Sequence, residues 1–453
     1  MSEQNNEQNS IISNLDTDTD EISDNIMDFI TVWDYNRAME FIDEAGQLGS
    51  RLGLESMKLL LQELSNPQDK LSVIHVAGTN GKGSICAFLE GCYQEAGYLV
   101  GRYSSPFLFS YLEQFQVNQT AITKEEFTAC SWTVYKAYRR MKAKGLSLPT
   151  AFEVETAIAF IYFLKQKVDL VILETGMGGS GDATNVVKRP LVTVFSSVSM
   201  DHQAFLGEDL SAITRTKAGI MRAGVPVVAA LMASEAREVL LAQAQSLNCP
   251  VCLPVPSDCE YRLGETTFTY GQITYEIPLM GTYQPENAVC ALAVTDILNE
   301  RFPIPMEQRK EGIKKVCWQG RFELMQTNPV IIRDGAHNVD AVKRLVETIK
   351  TYFPDEKISV VMGVFKDKDY KAMAEQILPL CKRIYTVTPP VSKRALPKEI
   401  LAQYFLNKQE EQGIAIPVQC MDSVAEAREA FIKQAAGDEP LIIFGSLSLA
   451  SLC

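Results

Sequence analysis

Ser72-Val73-Ile74-His75-Val76-Ala77-Gly78-Thr79-Asn80-Gly81-Lys82-Gly83-Ser84 is the stretch that decides the fold of this chain. A short apolar run, the mark of a buried strand, ends on glycine. Ser84–Ala96 then follows as a predicted helix, which Gly97 stops at its C′ position. Strand, glycine-rich loop with one lysine, then helix is the order of a phosphate-binding loop. Glycines let backbone N–H groups approach phosphate oxygens, the helix N-terminus adds positive potential, and Lys82 adds a point charge. Thr79, Asn80, Gly81, Lys82, Gly83 and Ser84 are therefore candidate phosphate-binding residues, with the Ser84 hydroxyl a candidate Mg²⁺ ligand. In the usual spacing Ser or Thr follows the lysine directly; here Gly83 intervenes, so the loop is a variant. A tight turn with a surface lysine is the competing explanation, and the strand–helix setting weighs against it.

Outward from this loop the alternation continues. Leu99–Tyr103, Val168–Leu173, Leu191–Val198 and Val225–Ala230 read as strands; Lys124–Lys144 reads as a surface helix, and Thr150–Lys165 and Glu286–Asn299 as further helices. The pattern predicts an α/β protein whose N-terminal P-loop-containing ATPase domain, residues 26–317, is built on a mainly parallel sheet. Pro303 and Pro305 break the pattern within Phe302–Gln319. Beyond Trp318 a second set begins: strands Val330–Arg333, Ile358–Gly363, Arg383–Val387 and Leu441–Phe444, with a helix at Val339–Thr351. Residues 318–453 are thus predicted to form a smaller, Rossmann-like C-terminal α/β domain.

The chain has 453 residues and a formal charge of −13, an acidic balance that argues against a nucleic-acid coat. Seven carboxylates and no Lys or Arg fall within Met1–Asn25, which reads as a disordered tail and leaves −6 on the remainder. No apolar run reaches the ~18 residues of a membrane span, and the start does not resemble a secretory signal. Eleven scattered cysteines, an odd count, fit reduced thiols in the cytoplasm; Cys249-Pro250-Val251-Cys252 lacks the second pair that zinc would need. Without heptads or a large apolar patch the expected state is a monomer, with neither membrane nor nucleic acid as partner.

In a parallel sheet, ligands collect beyond the carboxyl ends of the strands. Glu174 ends one predicted strand and Asp201-His202 follows another, so Ser84, Glu174 and His202 are placed to share a metal-bound phosphate; a buried, hydrogen-bonded Glu and His fit equally well. Thr79–Ser84 also resembles the ATP loop of the Mur ligase superfamily, most of all that of folylpolyglutamate synthase and dihydrofolate synthase, and the likeness extends from Asp28 to Ser451.

The resemblance carries further residues. Leu173–Gly179 with Asp182–Asn185, and Asp201-His202 with Leu206-Gly207, resemble segments that imply a second Mg²⁺ on Glu174 and His202. Thr216–Ile220 resembles the segment whose lysine, here Lys217, is carbamylated and becomes an oxygen ligand. Gly281–Gln284 with Asn287 implies an adenine contact, and Gly320-Arg321-Phe322-Glu323 an arginine on the ATP phosphates. Asp334-Gly335-Ala336-His337-Asn338 implies Asp334 on ATP and His337 facing the incoming glutamate, with Lys82, Lys217 and His337 catalytic. Ser105, Pro106, Asp182, Asn185 and Ser446 fall in the implied substrate-binding segments. The implied reaction joins L-glutamate to a folate or pteroate derivative with ATP and two Mg²⁺, through an acyl phosphate. Five positions depart from the family pattern: Phe107 and Tyr283 stand for His, Gln114 and Ser180 for Arg, and Val339 for Pro. Another Mur-type amide ligase, or a paralogue that binds ATP and folate without ligation, are the alternatives.

Overall fold

The structure, a computed structural model, describes residues 33–452 apart from positions 50, 52, 202, 391–392 and 435–438. The acidic stretch Met1–Asn25 lies outside the described residues, as does His202.

β1 (Val73–Ala77) is buried at every position. A strand apolar on both faces belongs in the middle of a covered parallel sheet, and β1 pairs in parallel with β5 (Leu170–Glu174) on one side and β6 (Val192–Phe195) on the other. Outward lie β2 (Val100–Tyr103), β3 (Phe115–Val117) and β4 (Thr120–Ala121) beyond β5, and β7 (Val227–Ala229) and β8 (Val251–Cys252) beyond β6. The order is β4-β3-β2-β5-β1-β6-β7-β8, antiparallel only at the β2–β3–β4 edge. Helices Lys82–Glu95 and Gln284–Ile297 cover one face; Tyr35–Gly46, Glu55–Glu63, Lys124–Ala143 and Ala151–Gln166 cover the other. The helix Lys124–Ala143 is only half a surface helix. Phe127, Cys130, Val134, Ala137 and Met141 line one buried stripe, which the intervening Lys and Arg residues mask in the sequence.

Residues 257–277 hold an element the sequence pattern did not reveal. β9 (Ser257–Arg262), β10 (Glu265–Tyr270) and β11 (Ile273–Ile277) form a small antiparallel sheet, joined to the first core through Phe268 and Tyr275. The passage between the two sheets falls within Phe302–Gln319, toward its far end. The helix Met306–Lys314 that follows Pro303 and Pro305 packs Ile313 back into the first core, so the passage to the second sheet begins near Trp318.

The second sheet contains β12 (Glu323–Thr327), β13 (Val330–Arg333), β14 (Ile358–Met362), β15 (Cys381–Thr386), β16 (Val418–Cys420) and β17 (Leu441–Phe444). Its order is β12-β13-β17-β14-β15-β16, parallel except for β12–β13. The helix Val339–Tyr352 buries Val342, Leu345 and Ile349 against it and begins where β13 ends. The carboxyl ends of β1, β5 and β13 are thereby directed at one cleft between the sheets.

Candidate active site

Past Ala77 the loop turns at Gly81, whose φ of +94° is the left-handed conformation glycine adopts without a Cβ clash; Gly81 caps the helix Lys82–Glu95. The loop is fastened to the chain beyond β6: the Thr79 amide donates to Ser197 O at 2.7 Å, and Thr79 Oγ1 donates to Ser199 O at 3.1 Å. Lys82 Nζ lies 3.3 Å from Thr79 O and 3.8 Å from the Glu174 carboxylate. A Cβ on Gly83 would stand 2.4 Å from Trp318 Cζ2, so the indole fills the space that a serine after the lysine would need. Ser84 therefore follows one residue later, and its buried Oγ has no hydrogen-bond partner.

Glu174 ends β5 beside Val76 of β1. Burial pushes its carboxyl above the usual range, against the pull of Lys82 and Arg321. Lys217, near the end of the helix Leu210–Ala218, donates to Gly78 O at 2.8 Å. Burial, helped by Lys82, lowers its ammonium to about 7, so a neutral amine is well populated at neutral pH. An orphaned buried hydroxyl, a carboxylate and a lysine able to become a carbamate form an oxygen-rich set, which fits Mg²⁺.

The second sheet closes the cleft. Asp334, just past β13, accepts from the Phe322 and Ala336 amides at 2.7 Å each and from the Tyr283 hydroxyl at 3.3 Å; burial raises its carboxyl. His337 Nδ1 sits 2.8 Å from Gly335 O. A carbonyl only accepts, so Nδ1 carries the hydrogen and Nε2 presents its lone pair, 3.9 Å from Asp201 Oδ2. Burial lowers His337 to about 4, and the ring is neutral at physiological pH.

A polar cluster crosses between the sheets. Asn80 Nδ2 donates to Asp340 Oδ2 at 3.1 Å, Asn338 Nδ2 donates to Asn80 Oδ1 at 3.1 Å and to Asp201 Oδ2 at 3.0 Å, and Lys368 Nζ meets Asp201 Oδ1 at 2.7 Å. The phosphate loop is thus hydrogen-bonded directly to the second sheet's first helix.

A cavity of about 180 Å³ brings together Thr79–Ser84, Glu174, Lys217, Asn287, Arg321, Asp334 and His337, with Ser105 and Pro106 on its wall. Three anticipated substrate residues lie elsewhere. Asp182 accepts from the Met177 amide at 2.8 Å and the Thr184 amide at 3.0 Å. Asn185 spans Ser180 O and Gly219 O at 3.0 and 3.2 Å. Ser446 caps the helix Leu447–Ala450. Gln114, where the resemblance leads one to expect arginine, bonds Tyr111 O at 3.2 Å. The cation on that face of the sheet edge is Arg102 of β2, paired opposite Gln116 of β3. Glu286 and Arg344, also on the cavity wall, had no signal beyond their place in ordinary helical pattern.

Residues 76–295 match the Mur ligase middle domain family and residues 320–447 the Mur ligase, glutamate ligase domain family. The chain is 36% identical to the dihydrofolate synthase/folylpolyglutamate synthase of Bacillus subtilis over 378 residues, covering 81% of this chain and 88% of that protein. Identity to the folylpolyglutamate synthase of Lacticaseibacillus casei is 32% over 433 residues, 92% and 97% of the two chains. Among solved structures, Mycobacterium tuberculosis folylpolyglutamate synthase complexed with ADP superimposes with a TM-score of 0.81 at 26% identity, and an FPGS–AMPPCP–folate complex with 0.79 at 29%; each match covers 92% of this chain and 98% of the other. On the sequence likeness, the shared fold and the phosphate-loop cleft, the chain belongs to the folylpolyglutamate synthase/dihydrofolate synthase family of Mur ligases, which are ATP-dependent ligases.

Proposed function

We propose that this enzyme joins L-glutamate to a folate-type acceptor, dihydropteroate or a reduced folate, by way of an acyl phosphate. The observation that carries the reading is the single cleft in which Lys82, Glu174, Lys217, Arg321, Asp334 and His337 meet. Folylpolyglutamate synthases of the same fold form complexes with ADP and with AMPPCP and folate, which supports the same ligand classes here.

A carboxylate is a poor acyl donor and repels ATP. Lys82 and Arg321 offset that repulsion, and the backbone of Thr79–Ser84 cradles the phosphates. Ser84 and Glu174, with Lys217 as its carbamate, would hold Mg²⁺, whose charge eases attack on the γ-phosphorus. His202, assigned to the same role by its family segment, lies outside the described residues. The acceptor carboxylate oxygen attacks the γ-phosphorus, ADP leaves, and an acyl phosphate forms. Asn287 and Asp334 line the nucleotide side of the cleft. Glutamate's amine then attacks the acyl carbon and phosphate departs. In water that amine is an ammonium and must first lose a proton. His337, neutral and with its Nε2 lone pair open, is placed to accept a hydrogen bond from that amine and orient it toward the acyl carbon. Water hydrolyses an acyl phosphate, so the bridge between the sheets through Asn80, Asn338 and Asp201 serves to keep the cleft closed.

The test uses dihydropteroate or tetrahydrofolate carrying ¹⁸O in its carboxylate, with ATP, Mg²⁺ and glutamate. The expected products are the glutamyl amide, ADP and phosphate bearing one ¹⁸O. Amide without ¹⁸O in the phosphate would remove the acyl phosphate; no amide from either acceptor would remove the substrate assignment.

A further inference from the structure

Gly281-Thr282-Tyr283 lies between β11 and the helix Gln284–Ile297, and Tyr283 is the N-cap of that helix. The helix packs in the first core, yet the segment before it is fastened to the second sheet's first helix, Val339–Tyr352. The Gly281 amide donates to the Tyr352 hydroxyl at 3.3 Å, and the Thr282 amide donates to Thr348 Oγ1 at 3.2 Å. The hydroxyls of Thr282 and Thr348 also lie 3.1 Å apart. Tyr283 completes this strap by donating its own hydroxyl to Asp334 Oδ2 at 3.3 Å. Its ring reaches there by lying against Gly281, where φ is +120° and a Cβ would stand 2.9 Å from Tyr283 Cζ. Tyr283 is one of the chain's departures from the family pattern, which has histidine here. A phenol reaches further from the backbone than an imidazole.

Among the described residues three donors hold the Asp334 carboxylate. The amides of Phe322 and Ala336 come from its own side of the cleft, and the Tyr283 hydroxyl comes across it. Burial raises the carboxyl, while Arg321 and each of these donors favour the anion. Tyr283, Asn287, Arg321 and Asp334 all line the reaction cavity. The Tyr283–Asp334 bond therefore joins two walls of one cavity that belong to different sheets.

We propose that Tyr283 is a positioning residue: its hydroxyl fixes the Asp334 carboxylate relative to the helix Gln284–Ile297, so that Asp334 and Asn287 meet the nucleotide as one preassembled site. The inference rests on the placement of ATP in the ligase reading above. Without the hydroxyl Asp334 stays held within its own domain, but the two walls are no longer aligned in advance. Part of the binding free energy of ATP is then spent on aligning them.

Tyr283→Phe removes one oxygen and keeps the ring in place. Tyr352→Phe is its comparison, since it also takes a hydroxyl from the strap and leaves Asp334 untouched. Calorimetric binding of Mg–ATP is measured beside steady-state kinetics. Tyr283→Phe should raise Kd and KM for ATP about tenfold, the weight of one hydrogen bond to a charged group. KM for glutamate, and kcat at saturating ATP, should stay within about twofold of wild type. Tyr352→Phe should keep its Kd for ATP within about twofold. Unchanged Kd in Tyr283→Phe overturns the proposal. So do equal losses in the two variants, which would assign the effect to the strap as a whole. A lower binding stoichiometry at unchanged Kd overturns it as well, because a support of the fold changes only how much protein is competent. Wild-type protein that binds Mg–ATP but ligates glutamate to no acceptor would sink the ligase reading and leave the binding comparison standing.

Discussion

Gly83 sets the spacing between Lys82 and Ser84 in the loop proposed to hold phosphate. The ordinary loop places them in adjacent positions, but here the indole of Trp318 stands 2.4 Å from where a Cβ would be. Gly83→Ser therefore restores the familiar Lys-Ser order and should still damage the enzyme. Forcing a side chain into that contact costs about 1–3 kcal/mol and displaces the start of the helix. A shift near 1 Å at the phosphates is worth on the order of a 100-fold loss in kcat/KM for ATP. Trp318→Leu added to Gly83→Ala should recover part of what Gly83→Ala alone loses, because the smaller side chain vacates the space. Wild-type kinetics in Gly83→Ser would mean that the indole moves aside freely.

Asn338 does two jobs at the start of the helix Val339–Tyr352. Its Oδ1 accepts from the Ala341 amide at 2.8 Å, an N-cap; its Nδ2 donates to Asn80 of the phosphate loop and to Asp201. Asn338→Asp keeps the cap and replaces the donor with a second acceptor facing Asp201. It should hold its melting temperature near wild type while kcat/KM falls about tenfold or more, since like charges now meet across the cleft. Asn338→Ala loses the cap as well, which costs about 1 kcal/mol of stability. Equal activity in Asn338→Asp and wild type would show that the two sheets do not communicate through this residue. The cluster also marks the boundary of what a sequence discloses. β1 and β5 were legible because they are buried throughout and apolar except for His75 and the terminal Glu174, and Glu174 and Asp334 were legible because they stand at the carboxyl ends of strands. β10 was not, since Glu265-Thr266-Thr267-Phe268-Thr269-Tyr270 offers little apolar contrast and its core anchor is one phenylalanine. Asn80 and Asn338 are 258 positions apart, so their pairing is a product of tertiary structure alone. Asp182 and Asn185 illustrate the converse: the family segment is present, but its side chains are engaged by backbone groups of their own loop and of Gly219. Arg102 and Glu90 did leave a trace. Each is a lone charge inside an otherwise buried strand or helix face, and such charges occur when they are paired.

At the scale of the whole molecule the chain is acidic while its proposed ligands are anions. The local count does not by itself resolve that conflict. Lys82, Lys217, Arg321 and Arg344 face the reaction cavity, but so do Glu174, Asp201, Glu286 and Asp334. Lys217, lowered to about 7 by burial, is not a full cation at neutral pH, and His337 is neutral. Side chains alone therefore do not neutralise a triphosphate; loop amides and a divalent cation must supply the difference. Chelating Mg²⁺ should weaken calorimetric binding of ATP by about 100-fold, or roughly 2.7 kcal/mol, even though Lys82 and Arg321 remain in place. The seven carboxylates of Met1–Asn25 belong to a different scale. At physiological salt, charges beyond a screening length of about 8 Å contribute little, so deleting the stretch should raise the isoelectric point and leave both the affinity for Mg–ATP and turnover unchanged. The two measurements separate local from global electrostatics. ATP that binds equally well without Mg²⁺ would make the protein's own cations sufficient, and a deletion that changes turnover would draw Met1–Asn25 into the active site.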